Sequence, residues 1–247
     1  MMKFESLFGL PSLDSCIRAT SRNHLVFIVG SSGTGKSVLI KNSVATHLTT
    51  DRGAIVVLLD EDPRDFLDSL SNLIEPEKIK DFLRDRKLKI IDAFSFRARE
   101  RGFLYEKVEW EIKYANPNNP ADLIDIIRSY LEENKSRGLE TVVVIDSLNE
   151  IYTATDPVRT AEFIKYSKAL FTRSYRSLTL VTIHTDSENI ANWLKDYAYV
   201  ADGIIVLDVG TDQRGRFFRY FQVKRFRSSD HCREPIVYKL ESGRISF

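Results

Sequence analysis

The residues whose types and spacing most clearly predict chemistry are GSSGTGKS, at positions 30–37, between an apolar run and a helical pattern. The segment satisfies G-x-x-x-x-G-K-[ST], a loop whose backbone amides surround phosphate groups at the positive end of a helix. In such a loop Lys36 reaches the β- and γ-phosphates, and the Ser37 hydroxyl completes the coordination of magnesium. We therefore expect a nucleoside triphosphate with Mg²⁺ to be bound by Gly30, Ser31, Ser32, Gly33, Thr34, Gly35, Lys36, Ser37 and Val38.

Carboxylates follow two further apolar runs, at the strand ends where open α/β sheets bind ligands. TVVVID ends in Asp146, which predicts a second magnesium contact, made through water, opposite the Ser37 hydroxyl. AIVVLL is followed by Asp60 and Glu61, where a general base could polarise an attacking water. A structural role is the alternative, since Asp62 can cap the next helix and neighbouring acids favour its positive end. Both interpretations can hold at once.

A third candidate group is cationic and lies in KRFRSSDH, near the end of the chain. If 217–227 is a strand, alternation places Arg225 and Arg227 on one face with Phe221 and Val223. Two guanidinium groups on one face suit phosphate oxygens. The interleaved rings and cations of FRYFQVKRFR also resemble a platform for single-stranded nucleic acid, whereas a solvated edge strand is the plainer alternative. Because the net charge is only +1, nucleic-acid binding is possible but not favoured.

These candidate residues must be positioned by alternating strands and helices. Short continuous apolar runs predict buried strands, which indicates a mostly parallel central sheet flanked by helices on both faces. The last two runs leave no room for a helix between them, which predicts an antiparallel C-terminal extension. The predicted strands are 25–29, 54–59, 87–92, 141–146, 178–183, 203–208, 217–227 and 235–240, and the predicted helices are 36–48, 63–73, 77–86, 120–136, 157–174 and 187–199.

Length and composition indicate one globular α/β domain over 1–247, with 43% hydrophobic and 29% charged residues. Residues 93–119 mix aromatic and charged side chains and end in NPNNP, which we interpret as an insertion or lid. Cys16 and Cys232 lack metal-ligand spacing, so we expect two reduced thiols in a cytoplasmic protein. No apolar run is long enough to span a bilayer and the N-terminus does not read as a signal peptide, so we expect no membrane insertion.

Taken together, the motifs resemble those of the RecA-fold ATPases of the KaiC-like type, which include archaeal RadA paralogues and archaellum-associated ATPases. The matching pieces are FGLPSLD (8–14), GSSGTGKS, an Asp–Glu pair at 60–61 in place of the usual Glu–Glu, VVVIDSL (142–148) and RFRSSDH (225–231). They follow the family's order along nearly the whole chain. Two departures are visible: RATSRNH (18–24) replaces the family's glycine-rich step, and Arg225 and Ser228 replace the lysine and glycine of its K-x-R-G-x-x-H run.

The resemblance implies a RecA-like P-loop NTPase fold and an ATPase that uses ATP and Mg²⁺. It implies that Asp60 and Glu61 are the catalytic acids, although Asp60 is one methylene shorter than the usual glutamate. It also implies that Arg225, Arg227 and His231 reach the nucleotide of a neighbouring subunit. A homo-oligomer that acts as a nucleotide-dependent switch is therefore expected.

Several alternatives stay open. A polar residue at the end of strand 178–183 contacts the γ-phosphate in RecA-fold proteins, which suggests that role for His184, but a histidine held by nearby backbone groups is equally supported. The shortened Asp60 motivates a weakly hydrolysing ATP-binding scaffold for a motor or signalling complex. A recombination accessory that binds single-stranded DNA is the third alternative.

Overall fold

The computed structural model of the chain describes residues 4–96, 98, 112–227 and 229–247. The strands within this part, numbered along the chain, are β1 (Leu25–Gly30), β2 (Gly53–Leu58), β3 (Leu88–Asp92), β4 (Ile112–Tyr114), β5 (Thr141–Asp146), β6 (Leu178–His184), β7 (Gly203–Thr211), β8 (Phe217–Phe226), β9 (Ile236–Glu241) and β10 (Arg244–Ser246). They form a ten-stranded sheet in the order β10-β9-β8-β7-β1-β6-β5-β2-β3-β4.

Helices cover both faces of this sheet. They are α1 (Pro11–Ile17), α2 (Lys36–Thr49), α3 (Pro63–Leu70), α4 (Pro76–Arg84), α5 (Pro120–Ser136), α6 (Leu148–Ala154), α7 (Pro157–Ser167) and α8 (Glu188–Tyr197), with a π-helical turn at Lys168–Ser174 and a 3₁₀ turn at Ala198–Val200. Side chains of the central strand alternate between two apolar clusters, so that Val26 packs with α1–α4 and Phe27 packs with α5–α8. This burial on both faces explains why the strand sequences are continuously apolar.

Strand directions agree with the sequence prediction. Strands β1 to β7 run parallel, and β8, β9 and β10 are added antiparallel at one edge. The predicted mostly parallel sheet with an antiparallel C-terminal extension is therefore confirmed. The predicted strands and helices are all present with small shifts at their ends, whereas α1, α6, β4 and β10 were not predicted, because short elements carry too few residues to show a period.

The proposed insertion or lid at 93–119 falls largely on residues 97 and 99–111, which lie outside the described residues. Its described end contributes β4, which pairs in parallel with β3 at the sheet edge. Across the part of the chain that the structure describes, no helix is long and apolar enough to cross a membrane.

The expectation of two reduced thiols is wrong. Cys16, in α1, forms a disulfide bond with Cys232, and the two Cα atoms are 4.9 Å apart. The backbone amide of Cys232 also donates a hydrogen bond to the carbonyl oxygen of Cys16 at 3.0 Å. The two cysteines are separated by 216 positions, so only the packing of α1 against the segment after β8 brings them together, and no local spacing could indicate it.

The predicted face of the C-terminal arginines is also wrong. Between its pairings with Ile204 and Ile205, strand β8 contains one extra residue, Lys224, which forms a β-bulge. The bulge shifts the alternation, so that Phe226 joins the apolar cluster on the Val223 side and Arg225 lies on the other side. Strict two-residue alternation could not anticipate this irregularity.

Candidate functional site

The glycine-rich loop connects the end of β1, at Gly30, with the start of α2, at Lys36. Gly33 and Gly35 have φ angles of 75° and 95°, in the left-handed region that only glycine adopts without strain. Gly35 is the N-cap of α2, so the loop amides are close to the positive end of a 14-residue helix. The strand, loop and helix therefore create the anion-binding geometry that the motif predicts.

The antiparallel extension holds this loop from one side. The Tyr238 hydroxyl, on β9, donates a hydrogen bond to the carbonyl oxygen of Thr34, and burial raises the pKa of that phenol to about 12. Arg219, on β8, donates from Nε to the carbonyl oxygen of Gly33 at 3.4 Å. Sequence analysis missed both residues, because contacts between distant strands leave no local signal.

Lys36 is only 3% exposed and is folded back on its own loop. Its Nζ atom donates hydrogen bonds of 2.8 Å to the carbonyl oxygens of Gly30 and Ser31. Burial lowers the pKa of Lys36, while the negative charges of Asp186, Asp146 and Asp60 oppose that shift. To contact a phosphate, the ammonium group must exchange these two carbonyl partners for phosphate oxygens.

A side chain of the protein binds one of the loop amides. The Ser32 amide donates to the Asp186 carboxylate at 2.9 Å, in the way that such loops bind phosphate oxygens. Asp186 follows β6 by two residues and is exposed. Sequence analysis missed it, although its position beyond the carboxyl end of a parallel strand was the available signal.

Asp146 ends β5 and is buried, with only 1% of its surface exposed. The Thr182 hydroxyl donates to its Oδ1 atom, whereas the Oδ2 atom is buried without a hydrogen-bond partner. Burial, and secondarily the negative charge of Asp60, raise the pKa of Asp146 to about 6. A buried carboxylate oxygen that lacks a donor suits a cation.

Asp60 and His184 form a pair beside Asp146. His184 Nε2 is 3.3 Å from Asp60 Oδ2, and both side chains are partly exposed. Burial alone would raise the pKa of Asp60, but hydrogen bonds from His184 and Ser147 lower it overall. The backbone of His184 is fixed by two hydrogen bonds with the Asn149 amide side chain, at 2.8 and 2.9 Å.

Glu61 points to a different partner. Its Oε1 atom accepts a hydrogen bond of 2.7 Å from Lys41, which is 6% exposed and lies 5.3 Å from the centroid of the Phe66 ring. The structure therefore separates the two predicted acids, with Asp60 placed beside Asp146 and Glu61 bound to α2. Lys41 lies one helical turn after Ser37, on the same side of α2. This spacing was the available sequence signal that a cation lies near the acids after β2.

Arg225 and Arg227 lie at the opposite end of the sheet from the loop. Arg225 pairs with Ile204, near the start of β7, whereas the loop follows the end of β1. Val26 pairs with Gly203, so the arginines are about 13 Å below Gly30 along the strand direction. At this distance their guanidinium groups cannot contact a phosphate bound to the loop of the same chain.

Both arginines contact carbonyl oxygens of the turn before β7. Arg225 Nη2 donates to Ala198 and, at 2.9 Å, to Ala201, and Arg227 Nη2 donates to Tyr199 at 2.9 Å. The Arg227 side chain is 48% exposed. His231 Nδ1 is 2.9 Å from the carbonyl oxygen of Cys232, which is the disulfide-bonded cysteine.

The residues present fit a divalent cation. Asp60, Asp146 and His184 offer one ligand atom each, and these atoms all lie within 4.8 Å of one another. Ser37 lies in the first turn of α2, where the motif places its hydroxyl for magnesium.

The chain is similar in sequence and fold to known proteins. The family model described as "ATPase: KaiC" matches residues 8–247. The chain is 23% identical over 233 residues to the UPF0273 protein PAE3143 of Pyrobaculum aerophilum, covering 93% of this chain and 78% of the relative. It is also 25% identical over 144 residues to the UPF0273 protein SSO1861 of Saccharolobus solfataricus. That match covers 58% of this chain and 48% of the relative, so it spans about half of the relative's length. The fold is similar to the crystal structure of the KaiC-like protein PH0186 from Pyrococcus horikoshii, with a TM-score of 0.73 and 16% identity over 99% of this chain and 98% of that chain.

We predict that Asp146→Asn stabilises the fold at neutral pH. The raised pKa of Asp146 means that the folded chain binds a proton more tightly than the unfolded chain, whose carboxyl titrates near 3.8. Wild-type stability therefore falls as the pH rises from about 4 to about 6, and the uncharged variant avoids that loss. The expected gain at pH 7 is on the order of 1–3 kcal/mol in the free energy of unfolding.

Urea unfolding followed by circular dichroism, without metal ions, measures the difference at pH 4 and pH 7. The control is Asp122→Asn on the exposed start of α5, which should shift the free energy by less than about 0.5 kcal/mol. An Asp146→Asn variant that is equally or less stable than wild type at pH 7 would contradict the account of this buried charge.

Proposed function

Because the chain belongs to the KaiC family of ATPases, we propose that it binds Mg-ATP on the loop at 30–37 and hydrolyses it within an oligomer. One observation carries the proposal. The buried Lys36 and the buried Asp146, with its unpartnered Oδ2 atom, lie at the same edge of the sheet as the loop amides. This arrangement can receive both the phosphate charge and its counter-ion.

Each loop group has a defined role in this proposal. Lys36 leaves the Gly30 and Ser31 carbonyls for the β- and γ-phosphates, and the loop amides bind the remaining oxygens. Ser37 and Asp146 would hold Mg²⁺, which would neutralise phosphate charge when bound. The unpartnered Oδ2 atom of Asp146 supports this assignment because a coordinated cation or its water would satisfy it.

Once nucleotide is bound, Asp60 is the proposed base for the attacking water. Its pKa is lowered, so the carboxylate is deprotonated and can accept a proton or orient a water molecule, and His184 positions it at 3.3 Å. Glu61 is instead engaged by Lys41 at 2.7 Å, which supports a structural role in fixing the loop after β2 to α2. The shorter aspartate therefore carries the chemistry in this proposal.

The arginines at the far end of the sheet support catalysis between subunits. If they contact a nucleotide, it must belong to a neighbouring copy, because their own loop is about 13 Å away along the strands. Arg227 is the better candidate, because it is 48% exposed and is held by one carbonyl contact and a 3.7 Å ion pair with Asp202, whereas Arg225 makes two carbonyl contacts and is partly buried. An arginine supplied by a neighbour can accelerate hydrolysis by about 10³–10⁵.

A slow nucleotide-dependent scaffold is the second candidate function. Its supporting observation is the self-satisfied loop, in which Asp186 binds the Ser32 amide and Lys36 binds two carbonyl oxygens. These contacts must be broken before the loop can bind phosphates, which would slow the loading of the loop with ATP. The rate of ATP turnover separates the two candidates.

Lys36→Ala is predicted to reduce ATP turnover by at least about 100-fold. The Lys36 ammonium is the one positively charged side chain of the motif, so it alone can stabilise the negative charge of the γ-phosphate in the transition state. Phosphate release under saturating Mg-ATP measures this, and fluorescent-nucleotide titration measures the accompanying loss of affinity. The matched control is Lys78→Ala on α4, whose side chain is 60% exposed and which should turn over ATP normally. Full turnover in the Lys36 variant would refute the enzyme assignment.

Asp186→Asn is predicted to tighten nucleotide binding by about three- to ten-fold. The substitution removes a negative charge that occupies the Ser32 amide and would repel incoming phosphates. Fluorescent-nucleotide titration with Mg²⁺ measures the dissociation constant, and Asp81→Asn, on α4 with a side chain that is 57% exposed, serves as the control. Unchanged or weaker binding in the Asp186 variant contradicts the competing role of this carboxylate.

Arg227→Ala is predicted to reduce turnover at least about 10-fold while leaving nucleotide affinity of the dilute protein unchanged, since its partner is a neighbour's γ-phosphate. Mixing this variant with Lys36→Ala should restore part of the activity, because a Lys36→Ala subunit can donate its intact Arg227 to a neighbour's intact loop. Arg84→Ala on α4, 74% exposed, is the control. No recovery on mixing, at a concentration where both variants assemble, would argue against catalysis between subunits.

A further inference from the structure

The edge that ends β5 and β6 brings together three metal-ligating side chains from three separate segments. Asp146 ends β5, His184 ends β6, and Asp60 follows β2 by two residues. Their closest ligand atoms lie within 4.8 Å of one another, and the Asp60 Oδ2 to His184 Nε2 distance is 3.3 Å. Ligand atoms around one cation at about 2.1 Å are separated by roughly 3–4 Å, so small side-chain adjustments suffice.

An independent observation also indicates that this cluster suits a cation. Asp146 is 1% exposed and its Oδ2 atom has no hydrogen-bond donor, while Thr182 satisfies only Oδ1. Leaving a carboxylate oxygen buried and unpartnered is costly, and a coordinated ion would remove that cost. Lys36, whose ammonium group interacts electrostatically with Asp146, donates its hydrogen bonds to the carbonyl oxygens of Gly30 and Ser31 instead.

The site is also held in place for coordination. The Asn149 side chain fixes the backbone of His184 by donating to its carbonyl oxygen and accepting from its amide, and the Thr182 hydroxyl donates to Asp146 and orients it. Outer contacts of this kind orient metal ligands in characterised sites. Of the three ligands, Asp60 also lines a cavity of about 410 Å³, together with Phe94 and Pro117.

The donor set selects a class of metal. Magnesium takes oxygen ligands and keeps several waters, whereas an imidazole nitrogen together with two carboxylates suits first-row transition cations. A site that served magnesium alone would gain nothing from His184 in the ligand shell.

We propose that Asp60, Asp146 and His184 form a divalent transition-metal site that binds Mn²⁺ in preference to Mg²⁺ before nucleotide arrives. Only one consequence of this proposal rests on the proposed function. The metal would already be bound to the chain when ATP arrives, instead of arriving together with ATP. Metal binding itself requires no nucleotide. His184 is the residue that sets the preference for a transition metal.

The test uses the full chain, free of nucleotide and metal, titrated with Mn²⁺ and followed by electron paramagnetic resonance at neutral pH. Wild type should bind one Mn²⁺ per chain, Mg²⁺ should displace it only at about 10-fold or greater excess, and spin-echo modulation should show a coordinated nitrogen. His184→Gln should lose the nitrogen signal and bind Mn²⁺ about 10-fold more weakly, with Mg²⁺ binding unchanged. His231→Gln is the matched control and should behave as wild type.

Each contrary result is decisive. Absence of nitrogen modulation in wild type, equal competition by Mg²⁺, or unchanged Mn²⁺ binding in His184→Gln overturns the proposal. The nitrogen signal is read on the wild-type protein, so the test does not depend on a variant folding. If wild type shows no preference for Mn²⁺ over Mg²⁺ but hydrolyses ATP in a Lys36-dependent way, this inference alone is refuted. If wild type binds Mn²⁺ through His184 but does not hydrolyse ATP, the proposed function alone is refuted.

Discussion

The candidate site depends on a buried carboxylate, that of Asp146, which has no cationic partner and only one hydrogen-bond donor among the described residues. Asp146 lies at the carboxyl end of a central parallel strand, 1% exposed, with one oxygen bound by Thr182 and the other unpartnered. Parallel strands place the ends of β1, β2, β5 and β6 at one edge, so the loop lysine and the acids after β2 necessarily lie around this charge. The fold thus accepts a local electrostatic cost at the point where a cation and a phosphate would meet, as is common at functional sites.

Most of the other charged groups already have partners within the chain. Lys36 contacts loop carbonyls, Asp186 contacts a loop amide, Lys41 contacts Glu61, and the distal arginines contact the turn before β7. Ligand binding would therefore exchange one set of charge-assisted hydrogen bonds for another, which limits the net affinity gained from each contact. It also means that the loop and the arginines at the far end of the sheet are each held in their present positions by a few replaceable hydrogen bonds.

The sequence was sufficient for the features that depend on local pattern. Apolar runs predicted the parallel strands β1, β2, β3, β5, β6 and β7, and the spacing of Gly30, Lys36 and Ser37 predicted the loop between β1 and α2. Features that depend on distant packing were not accessible: the disulfide joins positions 216 apart, and the bulge at Lys224 reversed the predicted face of Arg225. Likewise, no spacing could show that Asp60 would meet His184 while Glu61 met Lys41, because adjacent residues on a loop after a strand can turn either way.

The most direct test of the central claim is a crystal structure of the chain with a nonhydrolysable ATP analogue and a divalent cation. The account predicts that the triphosphate lies on the amides of residues 33–37, that Lys36 Nζ moves from the Gly30 and Ser31 carbonyls to the phosphates, and that the metal lies within coordination reach of Asp146, directly or through water. A nucleotide bound elsewhere, with Lys36 still on its carbonyl partners and Asp146 Oδ2 still without a ligand, would contradict it.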